Sequence, residues 1–156
     1  MYQPDSTDLR ILLELQHNSR LTIKELASIV NLSSTPVYDR VKRLEREGYI
    51  KKYVAILDYD KLNRGFAVFC NLKLTQINPQ IANQFTEFIS NIPEVVECYN
   101  VSGEYDYLLK VITPDMKHYQ SFLINTLGEF NYIAGVQSVF IMEEVKQTYG
   151  IVEYDK

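Results

Sequence analysis

The chain has 156 residues, enough for one domain or two small ones, and its 46% hydrophobic and 23% charged residues are an ordinary globular mixture. No apolar run approaches the roughly 20 residues of a membrane helix, and the polar start MYQPDSTD is unlike a signal peptide, so we expect a cytoplasmic protein. The net charge of −4 is uneven, since residues 1–64 hold 11 Lys/Arg and 9 Asp/Glu whereas residues 65–156 hold 5 and 11. A net of +2 followed by −6 favours two modules with different partners.

The first 48 residues predict three short helices. The first begins after a cap at Asp5 or Ser6. It carries two apolar strips at helical spacing, which are Leu9, Leu12 and Leu13, and Ile11 and Leu15. Thr22 and Glu25 form a capping box at the start of the second helix, because each side chain can accept from a backbone N–H of the first turn.

The third helix is expected to start near Ser33 or Ser34 and to end at Gly48, which suits a left-handed cap. It follows the second helix after a three-residue turn, and this arrangement is the helix-turn-helix motif. The next segment, YIKKYVAIL (49–57), is predicted to be a strand.

The third helix has the features of a DNA recognition helix. Short polar side chains stand at its start, and residues 40–52 contain six basic and two acidic residues, a net of +4. We therefore expect it to bind double-stranded DNA. The predicted contact residues are Ser33, Ser34, Thr35, Pro36, Tyr38, Asp39, Arg40, Lys42 and Arg43. The alternative is a solvated face with ion pairs such as Arg43 with Glu47.

The second half predicts an α+β domain with the order βαββαβ, which is the ferredoxin-like arrangement. The strands are 66–75, 95–101, 105–112 and 136–145, and the helices are 78–92 and 115–127. The predicted organisation is thus a helix-turn-helix domain (1–57), a polar linker (58–65) and a βαββαβ domain (66–156).

The turn SGEYD is a candidate ligand site. Gly103 permits a backbone conformation that other residues resist, and such a turn exposes N–H groups that can hold a carboxylate. Asp106 can hold an ammonium group, so the pair would suit an amino acid. The alternative is a plain β-hairpin with a solvated Asp106.

Nothing in the sequence predicts catalysis, a metal site or a bound cofactor. Cys70 and Cys98 are 27 residues apart without a CxxC or Cys/His pattern, and we expect both to be buried, reduced thiols. His17 and His118 each stand alone, and no nucleotide-binding or hydrolase motif is present.

Three stretches carry a resemblance to a known family. They are ELASIVNLSSTPVYDRVKRLEREGYIKKYVAILD, VSGEYDYLLKV and FIMEEVKQT. The first resembles the winged-helix DNA-binding region of the Lrp/AsnC ("feast/famine") transcription regulators, and the other two resemble their effector-binding domain. Within the family, the sequence of these stretches is most similar to the leucine-responsive branch.

The resemblance implies a prokaryotic, nucleoid-associated regulator that forms dimers and octameric rings and responds to an amino acid, such as a leucine-like effector. It also implies an effector site, whose residues are Asn100, Gly103, Glu104, Tyr105, Asp106, Met116, Val136 and Ser138. The family often has a Thr-x-Thr pair in the last strand, of which Ser138 retains one hydroxyl. The altered pair keeps open a ligand-independent architectural DNA-binding protein, and some relatives of this architecture are sirohaem decarboxylases that use pocket histidines.

Overall fold

The computed structural model describes residues 2–150, which form two compact units. The first contains residues 2–56 together with 146–150, and the second contains Leu57–Val145. Within the described residues, no helix is both long and apolar enough to cross a membrane.

The domain boundaries differ from the prediction in two places. Residues 58–65, predicted as a linker, belong to the second unit and contain a turn in which the Arg64 N–H donates to the Tyr59 carbonyl over 2.8 Å. Residues 146–150 belong to the first unit, because order along the chain does not show which unit a returning segment contacts. Residues 151–156 of the predicted second domain lie outside the described residues.

Three helices form the first unit, and local sequence signals set their ends. They are α1 (Ser6–His17), α2 (Ile23–Ile29) and α3 (Ser34–Arg46). Asp5 caps α1, and the predicted capping box between Thr22 and Glu25 is confirmed at the start of α2. Gly48 follows α3 with a φ of +79°, as its predicted role in a left-handed cap requires.

The core of the first unit contains one of the two predicted strips of α1. Its buried apolar residues are Ile11, Leu15, Leu26, Ala27, Val37, Val41 and Leu44. The other strip (Leu9, Leu12 and Leu13) is only half-buried. Spacing identifies two strips on a helix, but tertiary packing decides which one faces the core.

The predicted strand over residues 49–57 is wrong. Residues 51–58 form no strand, and the apolar side chains of Val54 and Ile56 are exposed. A strand is stabilised by hydrogen bonds to a neighbour, and the described part of the first unit contains no other strand to pair with it.

The second unit has the predicted βαββαβ order. Its elements are β1 (Phe66–Leu74), α4 (Pro79–Ser90), β2 (Val95–Asn100), β3 (Tyr107–Thr113), α5 (Met116–Ser121) and β4 (Ile133–Phe140). The four strands form one antiparallel sheet in the order β2-β3-β1-β4. This order confirms the ferredoxin-like fold.

Alternate residues of β1 face the helices and build the core of the second unit. Val68, Cys70 and Leu72 are fully buried there, together with Phe85 from α4 and Tyr119 from α5. The intervening residues of β1 are only partly buried, so the opposite face of the sheet has no helical layer among the described residues.

Three sequence expectations for the second unit require correction. Cys70 is buried as expected, but Cys98 is exposed, because it lies on β2 at the edge of the sheet. The predicted helix 115–127 becomes a π-helical turn after Ser121, a change that periodicity does not signal. The last strand is Ile133–Phe140 rather than 136–145, because its pairing with β1 ends where Phe140 meets Val68.

Candidate DNA-binding and effector-binding sites

The start of α3 presents a polar front to solvent. Its exposed residues are Ser33, Ser34, Thr35, Pro36, Tyr38, Asp39 and Lys42. Ser33 occupies the N-cap position, yet its side chain makes no capping hydrogen bond. On the opposite side, Val37, Val41 and Leu44 are buried in the core. A helix anchored by one face and polar on the other has the form that can enter a DNA major groove.

The cations of α3 are all paired with carboxylates of the first unit. The pairs are Arg40–Asp5 (2.7 Å), Arg40–Asp8 (2.8 Å), Lys42–Glu45 (2.8 Å), Arg43–Asp8 (3.6 Å) and Arg46–Glu47 (3.3 Å). The expected alternative pair of Arg43 with Glu47 is wrong, since Glu47 pairs with Arg46 instead. Beyond the helix, Lys51 and Lys52 are exposed and make no ion pair with any residue in 2–150.

Asp8 is the electrostatic centre of this cluster. Burial by itself would raise the pKa of its carboxyl, but hydrogen bonds from Tyr2 and Arg40 and from the Asp5 backbone N–H outweigh it and lower that pKa. The same hydrogen bond to Asp8, together with one to Asp5, raises the pKa of Arg40. The pKa of Asp5 is lowered as well, chiefly by the Asp8 backbone N–H and by Arg40, so Asp5, Asp8 and Arg40 are all held in their charged forms.

The turn between β2 and β3 has the geometry expected of Gly103. This residue has a φ of +116°, in the region that side chains disfavour, and a β-carbon there would meet nothing within 4 Å. Glu104 is exposed and Tyr105 is half-buried. The backbone N–H groups of residues 102–105 have no hydrogen-bond partner within the described part of the chain.

Asp106 is buried, so the alternative of a solvated carboxylate is wrong. Only 5% of the residue is exposed. Its Oδ2 accepts from the Leu74 N–H at 2.7 Å, and its Oδ1 accepts from Lys73 Nζ at 3.1 Å. Its carbonyl accepts from Asn100 Nδ2 at 2.9 Å. Asp106 therefore joins the turn to the end of β1.

The other predicted effector residues lie elsewhere on the second unit. Met116 is exposed at the start of α5, and Val136 is exposed on β4. Ser138, also on β4, shares a 2.6 Å hydrogen bond with the buried Tyr119 hydroxyl. The structure brings Asn100, the turn and Asp106 together, but β4 is three strands away from β2. At a strand spacing of about 4.8 Å, this separation is roughly 14 Å.

Sequence reasoning missed three residues of the candidate DNA-binding site. Tyr2, Asp5 and Asp8 were not predicted to be partners of the α3 arginines. One signal was available, because Asp8 continues the buried strip of Ile11 and Leu15 at helical spacing. A charged residue on an apolar strip indicates a buried ion pair. No group of three potential metal ligands occurs among residues 2–150.

Comparison with known protein families finds a matching family model for each of the two parts of the chain. Residues 67–151 match the model of the Lrp/AsnC ligand binding domain. Residues 4–51 match a winged helix-turn-helix DNA-binding model. These two regions correspond to the two candidate sites, since α3 lies in the second match and the turn at Gly103 in the first.

Individual relatives agree over nearly the full length. The leucine-responsive regulatory proteins of Escherichia coli K12 and Klebsiella pneumoniae are both 39% identical over 148 residues, which is 95% of this chain and 90% of each relative. Among solved structures, a transcriptional regulator from Neisseria meningitidis in complex with L-Met is 33% identical, with a TM-score of 0.91 over 96% of this chain and 97% of that one. An AsnC family transcriptional regulator from Agrobacterium tumefaciens is 37% identical, with a TM-score of 0.90 over the same shares. The chain belongs to the Lrp/AsnC family of transcriptional regulators, with a DNA-binding helix-turn-helix unit and a ligand-binding unit.

Proposed function

We propose that this regulator binds specific duplex DNA sequences through the exposed front of α3. The observation that carries the proposal is the exposed polar side of residues 33–39, on a helix whose other side, including Val37, is buried in the core. Hydroxyl groups at the start of a recognition helix can donate to and accept from base edges and phosphates. Acting on the chromosome requires a cytoplasmic location.

In this proposal, Lys51 and Lys52 supply phosphate contacts, because they are exposed and unpaired within residues 2–150. Lys42 contributes as well, since its pair with Glu45 is solvent-exposed and such pairs are worth only about 0–1 kcal/mol. Each phosphate neutralised by a cation releases counterions, which makes binding depend on salt.

The test compares Lys42→Ala with Lys117→Ala, which removes a lysine that is also exposed, from α5 of the second unit. Binding to a duplex selected from a random pool by the wild-type protein is measured at several salt concentrations. We expect Lys42→Ala to weaken binding and to reduce the salt slope by about one, whereas Lys117→Ala changes neither. Equal effects of the two substitutions would argue against α3 as the contact.

We further propose that the turn at Gly103 binds an amino-acid effector. The free N–H groups of residues 102–105 can hold its carboxylate. Exposed Glu104 can accept a hydrogen bond from its ammonium group, whereas Asp106 is buried and already accepts from Lys73 and Leu74. The Neisseria meningitidis relative binds L-Met, which supports an apolar amino acid, and a leucine-like one belongs to the same class.

Self-association completes the proposal. The face of the sheet away from α4 and α5 carries the partly exposed apolar side chains of Phe69, Leu108 and Val139, and a second copy could cover them. Val136 and Ser138 lie on β4, which β1 separates from the strand β3 that follows the turn at Gly103. In this proposal a second copy completes the site that uses both, which favours dimers that assemble further, as in an octamer. Sedimentation that finds only monomer at micromolar concentration would contradict this part.

A specific observation also supports the architectural alternative, in which the protein binds DNA but no amino acid. The polar groups of Ser138 and Asp106 already have protein partners. A thermal-shift screen of the purified protein against the twenty amino acids separates the two functions. A ligand that binds the folded state raises the melting temperature, whereas the alternative predicts no shift with any of them.

A further inference from the structure

The carboxylate of Asp8 lies in an unusual place for a charged group. The residue is 0% exposed, on the face of α1 that also contains Ile11 and Leu15. An isolated buried carboxylate would be strongly destabilising, so its partners must compensate for the lost hydration. Those partners come from two directions, the N-terminal segment and α3.

Asp8 interacts with the two arginines unequally. Arg40 Nη1 donates to Asp8 Oδ1 at 2.8 Å and to Asp5 Oδ2 at 2.7 Å, and its side chain is 24% exposed. Arg43 Nη2 stays 3.6 Å from Asp8 Oδ2, beyond hydrogen-bond distance, and its side chain is 36% exposed. Arg40 is thus fixed to α1 by hydrogen bonds, whereas Arg43 makes no hydrogen bond to Asp8.

Arg43 also keeps unused hydrogen-bonding capacity. Its Nη groups make no hydrogen bond among the described residues and are the groups that could reach DNA, whereas its Nε is buried without a partner there. Its guanidinium lies over the ring of Tyr2, 4.4 Å from the centroid, and the Tyr2 hydroxyl donates to Asp8. A buried N–H without an acceptor is uncommon in a folded protein and calls for an explanation. The Tyr2 ring and Asp8 define a direction for this guanidinium without saturating it.

We propose that Asp8 is a positioning residue for DNA recognition, which locks Arg40 as a structural group and orients Arg43 towards DNA. Arg40 then joins α3 to α1 and sets the angle of the recognition helix. Arg43 keeps the planar fork that contacts a guanine or a phosphate. This inference rests on the proposed function of α3 and divides its two predicted arginine contacts into different roles.

The test is the specificity of Asp8→Asn, measured as the ratio of affinities for the selected duplex and for a shuffled duplex of the same composition. The substitution removes the charge that Asp8 presents to both arginines, while Asp5 still pairs with Arg40. We expect the ratio to fall by about tenfold, because a directed contact becomes an undirected one. The salt slope on the shuffled duplex should steepen by about one, because one arginine becomes free for phosphates. If Asp8 had only a structural role, the substitution would weaken binding to both duplexes equally and leave the ratio of affinities unchanged.

Two single variants separate the arginines. Arg43→Ala should lower the specificity ratio, whereas Arg40→Ala should lower the melting temperature more than Arg43→Ala does. If Asp8→Asn does not fold, Tyr2→Phe replaces it, since it keeps the ring over Arg43 and removes only the hydroxyl bonded to Asp8. That variant should lower the ratio by about threefold.

The outcomes are distinguishable. A wild-type ratio near one would overturn the proposed function and this inference with it. A high wild-type ratio that Asp8→Asn keeps within twofold would overturn the inference alone, and if Asp8→Asn does not fold, an unchanged ratio in Tyr2→Phe would do the same.

Discussion

Replacing Asp106 by alanine should destabilise the second unit by about 2–4 kcal/mol. The carboxylate accepts from the buried Leu74 N–H at 2.7 Å, and a hydrogen bond to a charged group contributes about 1.5–3 kcal/mol. The ion pair with Lys73 adds about 0–1 kcal/mol, because the lysine side chain is 43% exposed and screened by solvent. Alanine also leaves the Leu74 N–H without its acceptor.

Native-state hydrogen exchange measures this effect in the second unit alone. The backbone N–H groups of Leu109 and Val111 lie in β3, which is paired on both sides, so they should exchange only when the sheet opens. A loss of 2–4 kcal/mol corresponds to exchange that is roughly 30- to 900-fold faster.

Two variants serve as controls for Asp106→Ala. Lys73→Ala removes the ion pair and keeps the hydrogen bond to Leu74, so its exchange should rise by less than about fivefold. Asp106→Asn keeps an oxygen acceptor, so its exchange rate should lie between those of Lys73→Ala and Asp106→Ala. Exchange in Asp106→Ala within fivefold of wild type would show that this carboxylate does not hold the turn to β1. A lost effector response in Asp106→Ala has to be compared with Asp106→Asn, since the alanine variant also perturbs the fold.

Three further predictions concern stability. Phe85→Ala should cost about 3–5 kcal/mol in urea unfolding, because Phe85 is fully buried with its ring 4.3 Å from that of Tyr107. Gly48→Ala should cost about 1–2 kcal/mol in thermal unfolding, purely from its φ of +79°, since a β-carbon there would meet nothing within 4 Å. The lowered pKa of Asp8 stabilises the fold above about pH 4, its unfolded value, and this stabilisation is lost as the pH falls through the folded value. The free energy of unfolding of Asp8→Asn should therefore fall less between pH 7 and pH 3 than that of the wild type. An equal fall in the two proteins would contradict the lowered pKa of Asp8.

Signals within a few residues predicted local structure well. The capping box of Thr22 and Glu25 and the left-handed Gly48 follow from side-chain chemistry near the helix ends. The βαββαβ order follows from apolar patterns that alternate between strand and helix periods. Such features could be predicted because each depends on neighbours in the chain.

Features that depend on distant partners could not be predicted in the same way. Residues 49–57 have strand-like composition, but composition does not supply a neighbouring strand. Arg40 looks like a free cation in the sequence, whereas its partner Asp8 lies 32 positions away. The burial of Asp106 likewise depends on the end of β1, which pairing across the sheet brings beside it.

The return of residues 146–150 to the first unit matters for domain exchange. A chimera that joined only residues 2–56 to a foreign sensor would lack one piece of the DNA-binding unit. The contact there is close, since a β-carbon at Gly150 would overlap the Gln16 side chain. Cut points for swapping specificities within the family should therefore be placed at two positions in the chain, near residue 57 and near residue 145, and the tail should be kept with the helix-turn-helix unit from the same parent.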